Sequence, residues 1–173
     1  DRNIKVICSP LNIKVNSDKI IDKQPFIFSA NKDQSTTKPY IVFVIGSNWE
    51  SRNYPKERFL EVARKLNKKC IVIWGNSKEK EKAEWMEQQS NLIEASQELS
   101  IDALKQLINR SILVIGNDTG PSHLAWGMNI PSIVLFGPTP VNRVYQTHIN
   151  RVLKSSSKVN PFALKRVIFL LMR

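Results

Sequence analysis

Four short apolar runs recur along this chain, and they limit the folds open to it. They are Tyr40-Ile-Val-Phe-Val-Ile45, Cys70-Ile-Val-Ile-Trp74, Ile112-Leu-Val-Ile115 and Ser132-Ile-Val-Leu-Phe136. Each is rich in β-branched residues and has no alternating wet face. A run of that kind reads as a strand covered on both sides, as in a parallel sheet. Asn91 to Glu94 reads as a further short strand. Between the runs the period changes to that of helices. Pro55 stands at the start of one, and Phe59, Val62, Ala63 and Leu66 give its apolar face. Lys78 to Ser90 reads as a charged helix. Ser100 is placed to cap a helix carrying Ile101, Leu104, Leu107 and Ile108. Pro121 to Met128 forms a short one, and Pro161 to Met172 a last one. Strand and helix in alternation specify an α/β fold, a parallel sheet wrapped by helices on both faces.

The first 38 residues follow no such pattern. Ile4 to Cys8 reads as a short strand ended by Pro10, and Ser29 to Pro39 is a polar loop. The expected organisation is therefore 1–38 as a linker or the end of a preceding domain, and 39–173 as one Rossmann-like domain. A first residue other than Met suggests a piece excised from a longer chain. No signal-peptide pattern opens it, and the longest apolar stretch, Val167 to Met172, is too short to cross a bilayer. Two cysteines, Cys8 and Cys70, make neither a disulfide framework nor a zinc site, which fits a reducing compartment.

The net charge of +11 points to an anionic partner, with a solvated surface as the plainer account. Its distribution is uneven. Residues 61–110 hold 9 basic and 8 acidic residues, whereas 111–173 hold 7 basic residues and one acid, Asp118. In open α/β sheets ligands bind beyond the carboxyl ends of the strands. That directs attention to loops 46–54, 75–79, 116–123 and 137–139. Asn117-Asp-Thr-Gly-Pro-Ser-His123 leaves a strand and enters a helix. Gly120 permits close approach, and the amides of Thr119 to Ser122 are expected to be free for a phosphate at the helix start, with the Thr119 hydroxyl beside them. Asp118 would repel phosphate, so a sugar hydroxyl or a backbone donor suits it better. The competing account is an Asp N-cap on a glycine turn, with His123 as a packed histidine. Arg52 reads either as a bidentate partner for a diphosphate or as a surface residue with Tyr54 packed under its loop. Glu79 reads either as a ribose ligand or as a first-turn acid helping the helix dipole.

Taken together these loops resemble the C-terminal half of the lipopolysaccharide heptosyltransferases. The family motif Asp-Thr/Ser-Gly-x-x-His is matched by Asp118-Thr-Gly-Pro-Ser-His123. Its Lys-x-Trp-Pro appears as Arg52-Asn-Tyr-Pro55, and its Gly-Pro-Thr as Gly137-Pro-Thr139. The ordered match runs from about Val42 to Pro140, and its wording is nearer heptosyltransferase I than II. The resemblance implies a GT-B architecture, two Rossmann-like domains facing a cleft, with this chain as the donor-binding half. It implies a bacterial, cytoplasmic enzyme that moves L-glycero-D-manno-heptose from ADP-heptose to Kdo of the lipid A inner core, with inversion and without a metal or other cofactor. The family's general base lies in the other domain, so no catalytic base is expected here, and this chain alone should bind ADP without transferring sugar. Carried over by position, Ser47 and Asn48 lie near the diphosphate and Arg52 pairs with it, stabilising the leaving group. Glu79 holds the ribose, and Leu99 lines the adenine pocket. Asp118 meets the heptose, Thr119 and Gly120 supply phosphate donors, and His123 supports their turn. Arg in place of Lys keeps the charge and changes the geometry.

Basic and apolar residues mix in the last segment, Lys154 to Arg173. They suit a helix resting on the anionic inner face of a membrane or one packed on protein. Two rival functions stay open: a GT-B transferase for another nucleotide-sugar, and a non-catalytic nucleic-acid-binding module. The second is motivated by charge alone, since no DNA- or RNA-binding motif is present.

Overall fold

The computed structural model describes residues 6–29 and 39–156. Its centre is a six-stranded, wholly parallel sheet in the order β3-β2-β1-β4-β5-β6. The strands are β1 (Ile41–Val44), β2 (Cys70–Ile73), β3 (Ile93–Ala95), β4 (Leu113–Asn117), β5 (Ser132–Phe136) and β6 (Asn150–Lys154). The helices are α1 (Ser17–Ile21), α2 (Lys56–Leu66), α3 (Ser77–Gln88), α4 (Ile101–Arg110) and α5 (Gly120–Gly127).

β1 shows why its run is continuously apolar. Ile41, Phe43 and Ile45 face one core, with Phe59, Leu60 and Ala63 of α2 and Ala83 and Met86 of α3. Tyr40, Val42 and Val44 face the other, with Ile108 of α4 and Ala125 of α5. A polar residue at any of these positions would be stranded in one core or the other. Phe43, Phe59 and Met86 are fully buried, and each such side chain contributes about 1.5–3 kcal/mol relative to exposure. Burial also pushes the Cys70 thiol up to about 12, so this cysteine is a packing residue and not a nucleophile.

The helix ends follow local chemistry. Ser100 accepts from the Ala103 amide at 3.2 Å, the cap expected for α4. Asn76 does the same for α3 through the Glu79 amide at 3.0 Å. Asn67 closes α2 with a left-handed φ of 48°.

Three features differ from the sequence reading. Residues 6–8 are helical and run into a 3-10 turn at Ser9–Leu11, so no strand forms there among the described residues. Val6 and Ile7 are exposed, so their apolar character reflects no burial within the described residues. β6 was not expected, because Asn150-Arg-Val-Leu-Lys154 is an edge strand with charged positions instead of an apolar run. The short helix α1, opened by an Asn16 cap to the Asp18 amide, also lies in a stretch read as irregular. The last helix expected from sequence, at 161–172, lies outside the described residues.

Residues 23–27 dock on the end of α5. The Phe26 and Ile27 amides donate to the Gly127 carbonyl at 3.0 and 3.3 Å. Asn129 donates to the Lys23 carbonyl, and the Lys23 ammonium donates back to Asn129 and to the Trp126 carbonyl.

β1 and β4 approach closely at the register pair Val44–Gly116. A Cβ on Gly116 would lie 2.3 Å from Val44 Cβ and 2.8 Å from its carbonyl oxygen. Gly116→Ala is therefore expected to cost about 3 kcal/mol. For a domain of this size that is a fall of roughly 6–12 °C in Tm by calorimetry. An unchanged Tm would contradict the close β1–β4 packing.

Candidate functional site

From β1 the chain crosses to β2 on one side, and from β4 to β5 on the other. The loops leaving β1 and β4 therefore part at neighbouring strand ends, which is where open α/β sheets bind ligands. Ile45-Gly46-Ser47 leaves β1, and Asp118-Thr119-Gly120 leaves β4. The Glu50–Arg52 3-10 turn and the Gly137-Pro-Thr139 loop both reach Asp118, through Arg52 and Thr139.

Asp118 is the centre of this place. It is 8% exposed. His123 Nε2 lies 3.0 Å from Oδ1, Arg52 Nη1 lies 3.5 Å from Oδ2, and the Thr139 hydroxyl donates to Oδ2 at 3.4 Å. Burial pushes the carboxyl up, but the hydrogen bond and charge of His123, the Arg52 guanidinium and the Thr139 hydroxyl outweigh it, so the group lies below its ordinary value. The N-cap of α5 is Thr119, which makes no side-chain cap bond. Asp118 is thus not a helix cap; it is an ionised group spent on three neighbours. Thr119 keeps its hydroxyl out of the capping role.

The amide supply of this turn is smaller than the sequence reading held. Pro121 has no N–H, and the Ser122 amide donates to the Thr119 carbonyl at 3.1 Å. The amides of Thr119 and Gly120 remain outside the helix's own hydrogen bonding. Beside them Gly120 faces open space, with nothing within 4 Å of a Cβ placed there.

Arg52 is held from two sides, by Asp118 and by the Trp49 ring, 5.5 Å from the guanidinium carbon to the ring centre. Its Nε is buried without a hydrogen-bond partner among the described residues. Tyr54 does pack, edge-on against Phe59 at 5.5 Å. The tyrosine thus packs under the loop as one account expected, but the arginine is not the surface residue of that account: it faces Asp118 with 19% of its side chain exposed. Gly137 backs onto the loop, since a Cβ there would lie 2.9 Å from the Ser51 carbonyl oxygen.

Glu79 reaches back from α3 to the β1 loop. Its Oε2 accepts from the Gly75 amide at 2.8 Å, and its carboxylate fills the space a Cβ would take on Gly46, 2.1 Å away. Ser47 accepts from the Trp49 amide at 3.3 Å, and Asn48 is exposed on the same loop. Leu99 is half-buried against the Tyr40–Val42–Val44 core and does not line the cavity beside Arg52. That cavity, about 550 Å³, has an apolar floor of Phe59, Ile115 and Leu135 and carries Arg52 and Lys154 in its lining.

Two polar residues at the site escaped the sequence reading. Thr139 stood only as part of a motif, and its partner Asp118 is remote in sequence. Asn117 is fully buried and bonded to three separate segments. A lone Asn ending an apolar strand was the available signal. Among the described residues no three His, Cys, Asp or Glu side chains gather as metal ligands. No helix among them is long and apolar enough to cross a membrane.

The sequence matches Glycosyltransferase family 9 (heptosyltransferase) over residues 1–161. It is 31% identical over 159 residues to lipopolysaccharide heptosyltransferase 1 of Campylobacter coli, covering 86% of this chain and 46% of that protein. The Pseudomonas aeruginosa protein of the same name is 26% identical over 110 residues, 62% of this chain and 31% of its own length. The chain thus spans less than half of these relatives. Among solved structures, a family 9 glycosyl transferase from Veillonella parvula aligns with a TM-score of 0.60 at 29% identity, over 70% of this chain and 36% of that one. The E. coli heptosyltransferase WaaC with ADP-2-deoxy-2-fluoro heptose aligns with a TM-score of 0.63 at 19% identity, over 86% and 47%. A parallel sheet with the strand order of a Rossmann-like GT-B half, an Asp-Thr-Gly turn with a buried Asp118 at its switch point and a family match over nearly the whole sequence agree: the chain belongs to glycosyltransferase family 9, the heptosyltransferases.

Proposed function

We propose that this chain binds ADP-heptose at the carboxyl ends of β1, β2 and β4 and acts as the donor half of an inverting transferase. The acceptor is Kdo of the lipopolysaccharide inner core, presented at the inner face of the membrane. One observation carries the reading: the Asp118 carboxylate holds Arg52 at the switch point, at the start of a turn whose Thr119 and Gly120 amides the helix's own hydrogen bonds leave unused.

The chemical problem is departure of ADP from the anomeric carbon. Negative charge grows on the leaving phosphate as the bond breaks. The Arg52 guanidinium and the two amides meet that charge in place, without reorganising. Asp118 orients the guanidinium through one oxygen and offers its carboxylate to a heptose hydroxyl. His123 and Thr139 hold that carboxylate in one orientation. Glu79, beside Gly46, accepts from the ribose diol, and Ser47 and Asn48 flank the diphosphate. Because fixed cationic and amide donors meet the phosphate charge, transfer proceeds without a metal ion. The base that activates the acceptor is supplied from outside this chain, so the chain alone binds donor and transfers nothing.

Isothermal calorimetry of the 173-residue chain against ADP, UDP, GDP and CDP tests this. ADP is expected to bind with the others at least tenfold weaker, a difference of about 1.4 kcal/mol. A preference for another nucleotide assigns a different donor, and no binding of any of them overturns the reading.

A further inference from the structure

Asn117 is the last residue of β4 and is fully buried. A buried side-chain amide is costly unless its donor and acceptor are both met. Here both are met, by partners from different segments. Nδ2 donates to the Ile45 carbonyl at 2.7 Å, at the end of β1. Oδ1 accepts from the Tyr54 amide at 3.0 Å, just beyond Arg52. Its main-chain carbonyl accepts from the Ser122 hydroxyl at 2.8 Å, in the first turn of α5.

The sheet does not depend on these side-chain bonds, because β1 and β4 already pair from Ile41–Leu113 to Val44–Gly116. An apolar residue of similar volume would fill the same space. The main-chain bonds of the 3-10 turn that carries Arg52 lie within itself, Arg52 amide to Trp49 and Asn53 amide to Glu50. Beside the Arg52–Asp118 ion pair, Asn117 therefore ties the main chain just after that turn to the strand end from which Asp118, Thr119 and Gly120 continue.

We propose that Asn117 is a positioning residue for diphosphate recognition: it sets the Arg52 guanidinium at a fixed distance from the Thr119 and Gly120 amides. This rests on reading the site as one for a nucleoside diphosphate. Its effect is then confined to the phosphate end of the ligand, and it acts through Arg52.

The test compares ADP with adenosine on the 173-residue chain. The ratio of the two affinities cancels any loss of folded protein, which weakens both equally. In Asn117→Ala the ADP-to-adenosine ratio is expected to fall about tenfold, the scale of one or two hydrogen bonds. In an Arg52→Ala background the same substitution is expected to change the ratio no further. Should Asn117→Ala fail to fold, Asn117→Leu fills the same space, removes both side-chain bonds and is expected to lower the ratio by a similar factor. An unchanged ratio in the variant that folds overturns the assignment, as does a full further loss in the Arg52→Ala background. A wild-type chain that binds ADP no better than adenosine overturns the reading of the site, and this assignment with it; a wild-type preference retained in the variants overturns this assignment alone.

Discussion

Arg52→Ala, in a two-domain enzyme containing this chain, is expected to lower turnover by about 10²- to 10³-fold, the loss measured when one preorganised donor is removed from an oxyanion site. ADP affinity should fall far less. The reason lies in when the charge appears. In the bound donor the diphosphate charge is shared over both phosphates and is already solvated in part. In the transition state the bridging oxygen gains charge as the sugar departs, and a guanidinium in place is worth most at that moment. Arg52 is suited to this because it is already held, by Asp118 at 3.5 Å and by the Trp49 ring. Arg52→Lys separates charge from geometry. It keeps the cation but loses the planar fork, so its turnover should fall between wild type and alanine. The measurement is kcat alongside the ADP dissociation constant for the three proteins. Equal losses in both quantities would make Arg52 a simple binding residue, and an unchanged kcat would remove it from the reaction.

The sheet was legible because strands buried on two faces tolerate no polar position. Val42 and Phe43 are adjacent, face opposite cores and are both fully buried. The same criterion misses β6. Arg151 and Lys154 at its exposed positions give it the composition of a surface segment. Conversely, Val6 and Ile7 look like strand residues and are exposed and helical. Apolarity identifies a strand only when something in the chain buries it.

The site divides in the same way. Which loops to examine follows from the strand ends, and the choice between cap and ligand for Asp118 does not. A helix cap is a local bond, whereas the partners of Asp118 include Arg52 and Thr139, brought in by two other loops. One of the two missing amides was a local matter that residue type alone could settle, since Pro121 has no N–H to give; the other, Ser122, is taken by the Thr119 carbonyl. Asn117 was illegible for a different reason. Its bonds are to main-chain groups of Ile45 and Tyr54, and main-chain partners leave no trace in residue type.

Removing the Asp118 charge is expected to destabilise the domain. Asp118→Asn keeps the shape and most of the packing. It leaves the Arg52 guanidinium facing a neutral amide with its Nε already unpartnered among the described residues. Breaking a largely buried pair from one side costs about 3 kcal/mol at the lower end of such cases, and the lower end applies because the Arg52 side chain keeps 19% of its exposure. The acid limb of stability should report the same charge. Burial raises the Asp118 carboxyl, but its bond to His123, the charges of His123 and Arg52 and the Thr139 hydroxyl outweigh that and hold it below the ordinary carboxylate value in the folded protein. A carboxyl depressed on folding stabilises the native state at pH values above its unfolded value. That contribution is lost as the pH falls through the folded value. The gap in Tm between wild type and Asp118→Asn should therefore be open above the ordinary carboxylate range, at about pH 5 and higher. Below about pH 4 it should close, as protonation turns the wild-type carboxylate into the neutral group the variant already has. Melts of both proteins across that range check it. A gap that does not change with pH would mean that the carboxylate's shape, and not its charge, holds Arg52 in place.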